Sequence, residues 1–188
     1  MSHVVFKGAE RIAAGSSLDV ALAALRLAGD PSGALVLIFD PEGRQVDFDL
    51  SGGPADLTVR LEPAEEAPPR GRGRPKLGVT PREVTLLPRH WDWLASQPGG
   101  ASVALRKLVE AARRQSEGPD RIRRSREAAY RFANVMAGDR EGFEAAMRAL
   151  FAGDDAAFEA RITAWPADIA AQLRTFAAEA FGADDASV

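Results

Sequence analysis

Twenty residues in the middle of the chain constrain how the rest of it can be organised. Residues 62–81 run from an acidic, proline-rich stretch (EPAEEAPP, 62–69) into a basic run (RGRGRPK, 70–76). Proline fixes φ and removes a backbone donor, and neither half offers bulky apolar side chains to bury. No packed core can be built from such a segment, so it reads as an extended linker. The 188-residue chain is thereby cut into parts that must find cores on either side. The reading is an α+β chain: a small N-terminal α/β unit (1–61), the linker (62–81), a strand–helix–helix segment (82–117) and an acidic helical bundle (118–188).

Within the first part, Val4, Val5 and Phe6 start a strand. Ser16 or Ser17 caps a helix carrying Leu18, Ala21, Leu22, Leu25 and Leu27, which ends at Gly29-Asp30-Pro31. Residues 34–40 (ALVLIFD) are a continuous apolar run of strand length, and residues 45–50 (QVDFDL) alternate. Asp40-Pro41-Glu42-Gly43 between them has turn chemistry, so the two runs predict a β-hairpin. Residues 57–61 (LTVRL) suit another strand.

After the linker, residues 82–87 (REVTLL) predict a short strand stopped by Pro88, and residues 88–97 a short helix bearing Trp91 and Leu94. Pro98-Gly99-Gly100 breaks it, and Ser102 is placed to cap a second helix with Val103, Leu105, Leu108 and Val109. A basic helix over 121–136 follows. Ala137-Gly138-Asp139 with Phe143-Glu144-Ala145 recurs fifteen residues later as Ala152-Gly153-Asp154 with Phe158-Glu159-Ala160. In each copy glycine suits a helix C-terminus and aspartate the next N-cap. Pro166 starts the last helix, with Ile169, Leu173, Phe176 and Phe181 facing inward.

Composition narrows the function classes. There is no apolar stretch of membrane-spanning length and no signal-peptide pattern in the first residues, which leads to the expectation of a cytoplasmic protein without a membrane partner. The absence of cysteine removes disulfides, thiol nucleophiles and cysteine-ligated zinc. The formal net charge of -3 hides a marked asymmetry. Between Arg70 and Arg131 there are 15 Lys+Arg against 6 Asp+Glu, and the remainder holds 9 against 21. A positive middle attracts polyanions, and the negative ends repel them. Pairing of the opposite charges within the molecule is the alternative.

The basic run resembles an AT-hook, whose core is an Arg-Gly-Arg-Pro tetrapeptide with basic flanks. Arg72-Gly73-Arg74-Pro75 matches it, with Arg70 before and Lys76 after. The resemblance implies an arm whose glycine lets the backbone lie deep in a narrow A·T minor groove while the arginines enter on either side. A solvated basic linker or a non-specific phosphate tether would use the same residues.

Residues 82–115 resemble the ribbon-helix-helix family of bacterial DNA-binding proteins. The likeness lies in the strand ending in Leu87-Pro88, the short helix, the glycine turn, and Ser102-Val103-Ala104-Leu105-Arg106 opening the second helix. It implies a homodimer in which each chain lends one strand to a ribbon in the major groove, while the second helix's N-terminus, with Ser102, meets phosphate. The sequence departs from that pattern on its strand. One face is Arg82, Val84, Leu86 and the other Glu83, Thr85, Leu87, so the best base-contacting candidates, Arg82 and Thr85, lie on opposite faces.

Catalytic constellations are poor: His3 and His90 are far apart, and there is no P-loop, nucleophile elbow or dinucleotide fingerprint. Asp40, Asp47 and Asp49 near the hairpin form a carboxylate group that more simply is the wet face of that hairpin. The block VTLLPRHW (84–91), followed by PGGAS (98–102), looks like a family of bacterial proteins of unknown function, with a likeness that spans nearly the whole chain. The expectation is therefore a non-enzymatic, cofactor-free protein that binds double-stranded DNA as a homodimeric transcriptional regulator or nucleoid-type protein. Its binding residues are Arg70, Arg72, Gly73, Arg74, Pro75, Lys76, Arg82, Thr85, Ser102, Arg106 and Lys107. The alternative is an antitoxin-like protein that holds a protein partner on its C-terminal helices.

Overall fold

The computed structural model describes residues 2–28, 33–61 and 80–182. The chain divides into two compact units, residues 1–64 together with 118–188, and residues 65–117. The N-terminal sheet and the C-terminal helices, which the sequence alone sets apart as separate segments, share one core.

In the first unit, β1 (His3–Lys7) and β2 (Glu10–Gly15) form a tight hairpin, followed by α1 (Ser17–Leu27), β3 (Val36–Phe39), β4 (Gln45–Val46) and α2 (Pro54–Leu61). The strands make one antiparallel sheet in the order β2-β1-β3-β4. The register sets Val4 opposite Phe39, Val5 opposite Ile38 and Phe6 opposite Leu37. Because side chains alternate across a strand, Val4, Phe6 and Phe39 enter one core and Val5 and Ile38 another. Both faces are covered, which is why β3 reads as an unbroken apolar run. On one side lie Val20, Ala23 and Ala24 of α1. On the other side lie the C-terminal helices.

Local chemistry sets the boundaries. Ser16 caps α1 in a reciprocal box: its Oγ accepts from the Asp19 N–H at 3.1 Å, and the Asp19 carboxylate accepts from the Ser16 N–H at 2.9 Å. Asp40 is buried in the β3–β4 turn, where its Oδ1 accepts from the N–H groups of Glu42 (2.9 Å) and Arg44 (2.8 Å). Two strand expectations are corrected. The strand expected over 45–50 stops at Val46, where its ladder to β3 ends at the Ile38–Val46 pair, although Phe48 and Leu50 still pack with Val46 on the α1-side cluster. Residues 57–61 are helical within α2: Pro54 begins it, the Gly53 N–H donates to the Asp56 carboxylate at 2.8 Å, and Leu57 is fully buried. β2 was not expected; its sequence, ERIAAG, lacks a clean alternation. A bulge between Val5 and Phe6 shifts its register. Its Arg11 is tied down by the Asp168 carboxylate (2.9 Å to the backbone N–H) and by Gln172 Oε1 (3.1 Å).

The helices are α3 (Pro88–Ser96), α4 (Gly100–Ala137), α5 (Phe143–Ala152), α6 (Asp155–Ile162) and α7 (Ala167–Phe176). The separate basic helix expected over 121–136 is the second half of α4, a 38-residue helix that continues through Gly118-Pro119. Its C-terminal half buries Ile122, Ser125, Ala128, Ala129, Phe132, Ala133, Met136 and Ala137, a repeat that keeps one stripe on the core. Phe132 lies at the centre, with ring centroids 5.5 Å from Phe6, 4.9 Å from Phe39 and 5.3 Å from Phe176. The second copy of the fifteen-residue repeat behaves as expected: Gly153 closes α5 at φ +76°, and Asp154 caps α6 by accepting from the Ala157 N–H at 2.9 Å. The first copy differs, since Gly142 rather than Asp139 stands at the start of α5. Trp165, not singled out in the sequence, is buried, and its Nε1–H donates to the Glu141 carbonyl at 3.1 Å.

Candidate nucleic-acid interface

The described part of the second unit is residues 80–117. Leu87 precedes α3, Pro88 supplies its first turn, and Gln97-Pro98-Gly99 ends it. Gly99 and Gly100 both hold positive φ, +87° and +75°, and the Gly100 N–H donates to the Gln97 carbonyl at 2.9 Å, so the chain turns sharply into α4. Leu94 of α3 and Ala104 of α4 are buried. Trp91 and Trp93 are both half exposed.

Thr80, Arg82 and Val84 lie along one turn-face of α4, and together with Leu105, Arg106, Lys107, Val109, Glu110, Ala111 and Arg114 they line an open groove of about 1040 Å³. Its lining combines the apolar Val84, Leu105, Val109 and Ala111 with the cations Arg82, Arg106, Lys107 and Arg114, and Glu110 is its single carboxylate. Glu110 is held below its ordinary pKa by hydrogen bonding to Arg113 (3.1 Å), then by that guanidinium's charge and by Arg114 (3.5 Å). It therefore offsets part of the charge of those two arginines. Arg106 donates through Nε to the Ser102 carbonyl at 3.1 Å, which lays its stem along the helix.

The groove brings together Arg82, Arg106 and Lys107 from the expected set and adds Arg114, which the sequence pattern did not mark. Thr85 is exposed and does not line the groove, in keeping with its opposite parity to Arg82 and Val84. Ser102 does not cap α4; the helix already starts at Gly100, and Ser102 sits in its first turn. The expected strand over 82–87 is not formed in the single chain. Among the described residues these backbone groups enter no ladder, and a lone strand has no partner to pair with. Arg70, Arg72, Gly73, Arg74, Pro75 and Lys76 lie outside the described residues.

The arginine-rich stretch 121–126, in the first unit, is used differently. Arg121 pairs with Glu179 (3.5 Å), Arg123 with Asp120 (3.0 Å), and Arg124 donates to the Asp120 carbonyl (3.0 Å). Arg126 donates to the Ala180 carbonyl at 2.9 Å. These contacts all lie within the first unit. The three hairpin carboxylates are also engaged apart from one another. Asp40 closes its turn and Asp49 pairs with Arg60. Asp47 borders a small apolar cleft of about 180 Å³ with Leu27, Val36 and Phe48. The apolar stripes of α5, α6 and α7 are buried in the first unit's core: Met147 and Leu150, Phe158 and Ile162, Ile169 and Leu173.

Fold and groove together define a two-unit α+β protein whose second unit bears a groove lined by Arg82, Arg106, Lys107 and Arg114. Among the described residues no helix is long and apolar enough to cross a membrane. Residues 2–177 match the family model described as an uncharacterized protein conserved in bacteria (DUF2239), and the chain belongs to that family. No curated protein and no solved structure matches it.

Proposed function

We propose that this protein binds double-stranded DNA through its second unit, as a homodimeric transcriptional regulator or nucleoid-type protein. The observation that carries this reading is the convergence of Arg82, Arg106, Lys107 and Arg114 on one groove. Charge supports it. Residues 65–117 hold 10 Lys+Arg against 6 Asp+Glu, while the rest of the chain holds 14 against 21. A polyanion is thus attracted to the second unit and repelled by the first. The arm at 70–76 is joined to the groove's own segment by sequence, so arm and groove serve one duplex.

A second copy of the chain supplies what the second unit lacks. Among the described residues of that unit, Val84, Leu87, Trp91, Trp93, Leu108 and Val109 remain exposed, whereas only Leu94 and Ala104 of its apolar side chains are buried. So small a unit rarely stands by itself. Pairing of the 82–87 segments across a two-fold axis satisfies their backbone groups. Because the strand offers few polar side chains, affinity comes mainly from phosphate contacts rather than from base reading.

Fluorescence anisotropy with A·T-rich and G·C-rich duplexes across a salt series tests the reading. The parent binds both, with affinity falling steeply as salt rises. Arg106→Ala/Lys107→Ala flattens the log–log slope by about 1.8, roughly 0.9 for each lost phosphate contact. Arg72→Ala/Arg74→Ala removes any A·T preference. No binding at low salt, or an affinity indifferent to salt, overturns the proposal.

A further inference from the structure

We infer that α4 carries a joint at Gly118-Pro119, where the exposed turns over 111–117 open locally while the buried half of the helix stays formed. The two halves are held by different means. Each of residues 111–117 (AARRQSE) is exposed, so little tertiary burial supports their helical state. Short helices without such support are marginal in water. From Ile122 onward the helix is anchored. Ile122 and Ser125 are buried, and the Ser125 hydroxyl donates to the Phe176 carbonyl at 2.6 Å and accepts from the Glu179 N–H at 3.2 Å.

The residues between the halves are the two poorest helix formers. Pro119 has no N–H to give to the Gln115 carbonyl, and its ring crowds that carbonyl. Gly118 adds backbone freedom in the unfolded turn. Nothing in the packing demands glycine there: a Cβ at 118 meets no atom within 4 Å, and its φ is not in the left-handed region. Arg106, Lys107, Arg113 and Arg114 concentrate positive charge on the unanchored side, offset locally by Glu110. The division between the two compact units falls at Gly118. The joint therefore lets the exposed turns open without unfolding the main core. This inference stands independently of what the groove binds.

Amide hydrogen exchange of the full chain, read by mass spectrometry, tests it. Amides over 111–117 exchange about 100-fold or more faster than those over 125–137, because local opening lies far below global unfolding. Gly118→Ala slows the 111–117 amides by about fivefold, and Gly118→Ala/Pro119→Ala by more than about tenfold, leaving 125–137 unchanged. Limited trypsin digestion cuts the parent after Arg113 and Arg114, and the double variant more slowly. Both substitutions raise helix propensity, so loss of folding does not confuse the result. Exchange of 111–117 in step with 125–137 in the parent, or no slowing in the double variant, overturns the inference.

Discussion

A Cβ atom placed on Gly43 stands 2.1 Å from the backbone carbonyl oxygen of Ala128. The β3–β4 turn thus rests directly on the backbone of α4, with Arg131 donating to the Glu42 carbonyl at 3.3 Å beside it. Gly43 is also at φ +71°, where any other residue is strained. Gly43→Ala is expected to cost about 3 kcal/mol or more of stability, since strain and backbone overlap add. Urea unfolding measures it; a loss below about 0.5 kcal/mol would show that the turn does not sit on the helix.

Phe132 joins the sheet to the C-terminal helices, so its truncation tests whether they share one core. Phe132→Ala is expected to destabilise the first unit by about 3–5 kcal/mol. The loss should appear in a single transition reported alike by probes on the sheet and on α7. Two separate transitions in the parent, only one of them shifted, would mean that residues 1–64 and 118–188 fold as independent domains.

The hydroxyl of Ser125 links α4 to the last residue of α7 and to the segment after it through two backbone partners. Ser125→Ala leaves the Glu179 N–H and the Phe176 carbonyl short of a partner. The expected cost is about 1–3 kcal/mol by denaturant unfolding. Ser125→Cys, which keeps a weak donor, should fall between parent and alanine.

The Asp19 capping box has a pH signature. Hydrogen bonding to Ser16 holds the Asp19 carboxyl below its ordinary value of 3.8. A carboxyl whose folded pKa is depressed contributes stability above its unfolded pKa and loses it as pH falls through the folded value. Asp19→Asn should therefore lower Tm relative to the parent at pH 6. The gap should narrow once pH drops below about 3.8. An unchanged gap at pH 3 would assign the effect of the substitution to something other than the carboxylate.

The pattern of residues determined the local pieces. Ser16 ahead of the α1 stripe, Asp40 to Gly43 in the turn, Gly153-Asp154 between α5 and α6, and Pro88 opening α3 each act through their own near neighbours, so their roles are legible in sequence. The basic middle is equally visible, because charge is a property of composition. The tertiary structure decided the rest. It placed Phe132 among Phe6, Phe39 and Phe176, joining distant parts that no short-range signal connects. It carried α4 through Gly118-Pro119, because the buried stripe from Ile122 to Ala137 holds the helix on one side of a break that local propensity would enforce. It placed residues 57–61 in a helix, with Leu57 fully buried. It also sorted the arginines: those at 121–126 are used by the first unit's own carboxylates and carbonyls, while Arg82, Arg106, Lys107 and Arg114 are gathered on one groove. Charges of the same kind, indistinguishable in sequence, acquire different surroundings because long-range packing decides which of them reach the C-terminal segment, as Arg121 reaches Glu179 and Arg126 the Ala180 carbonyl.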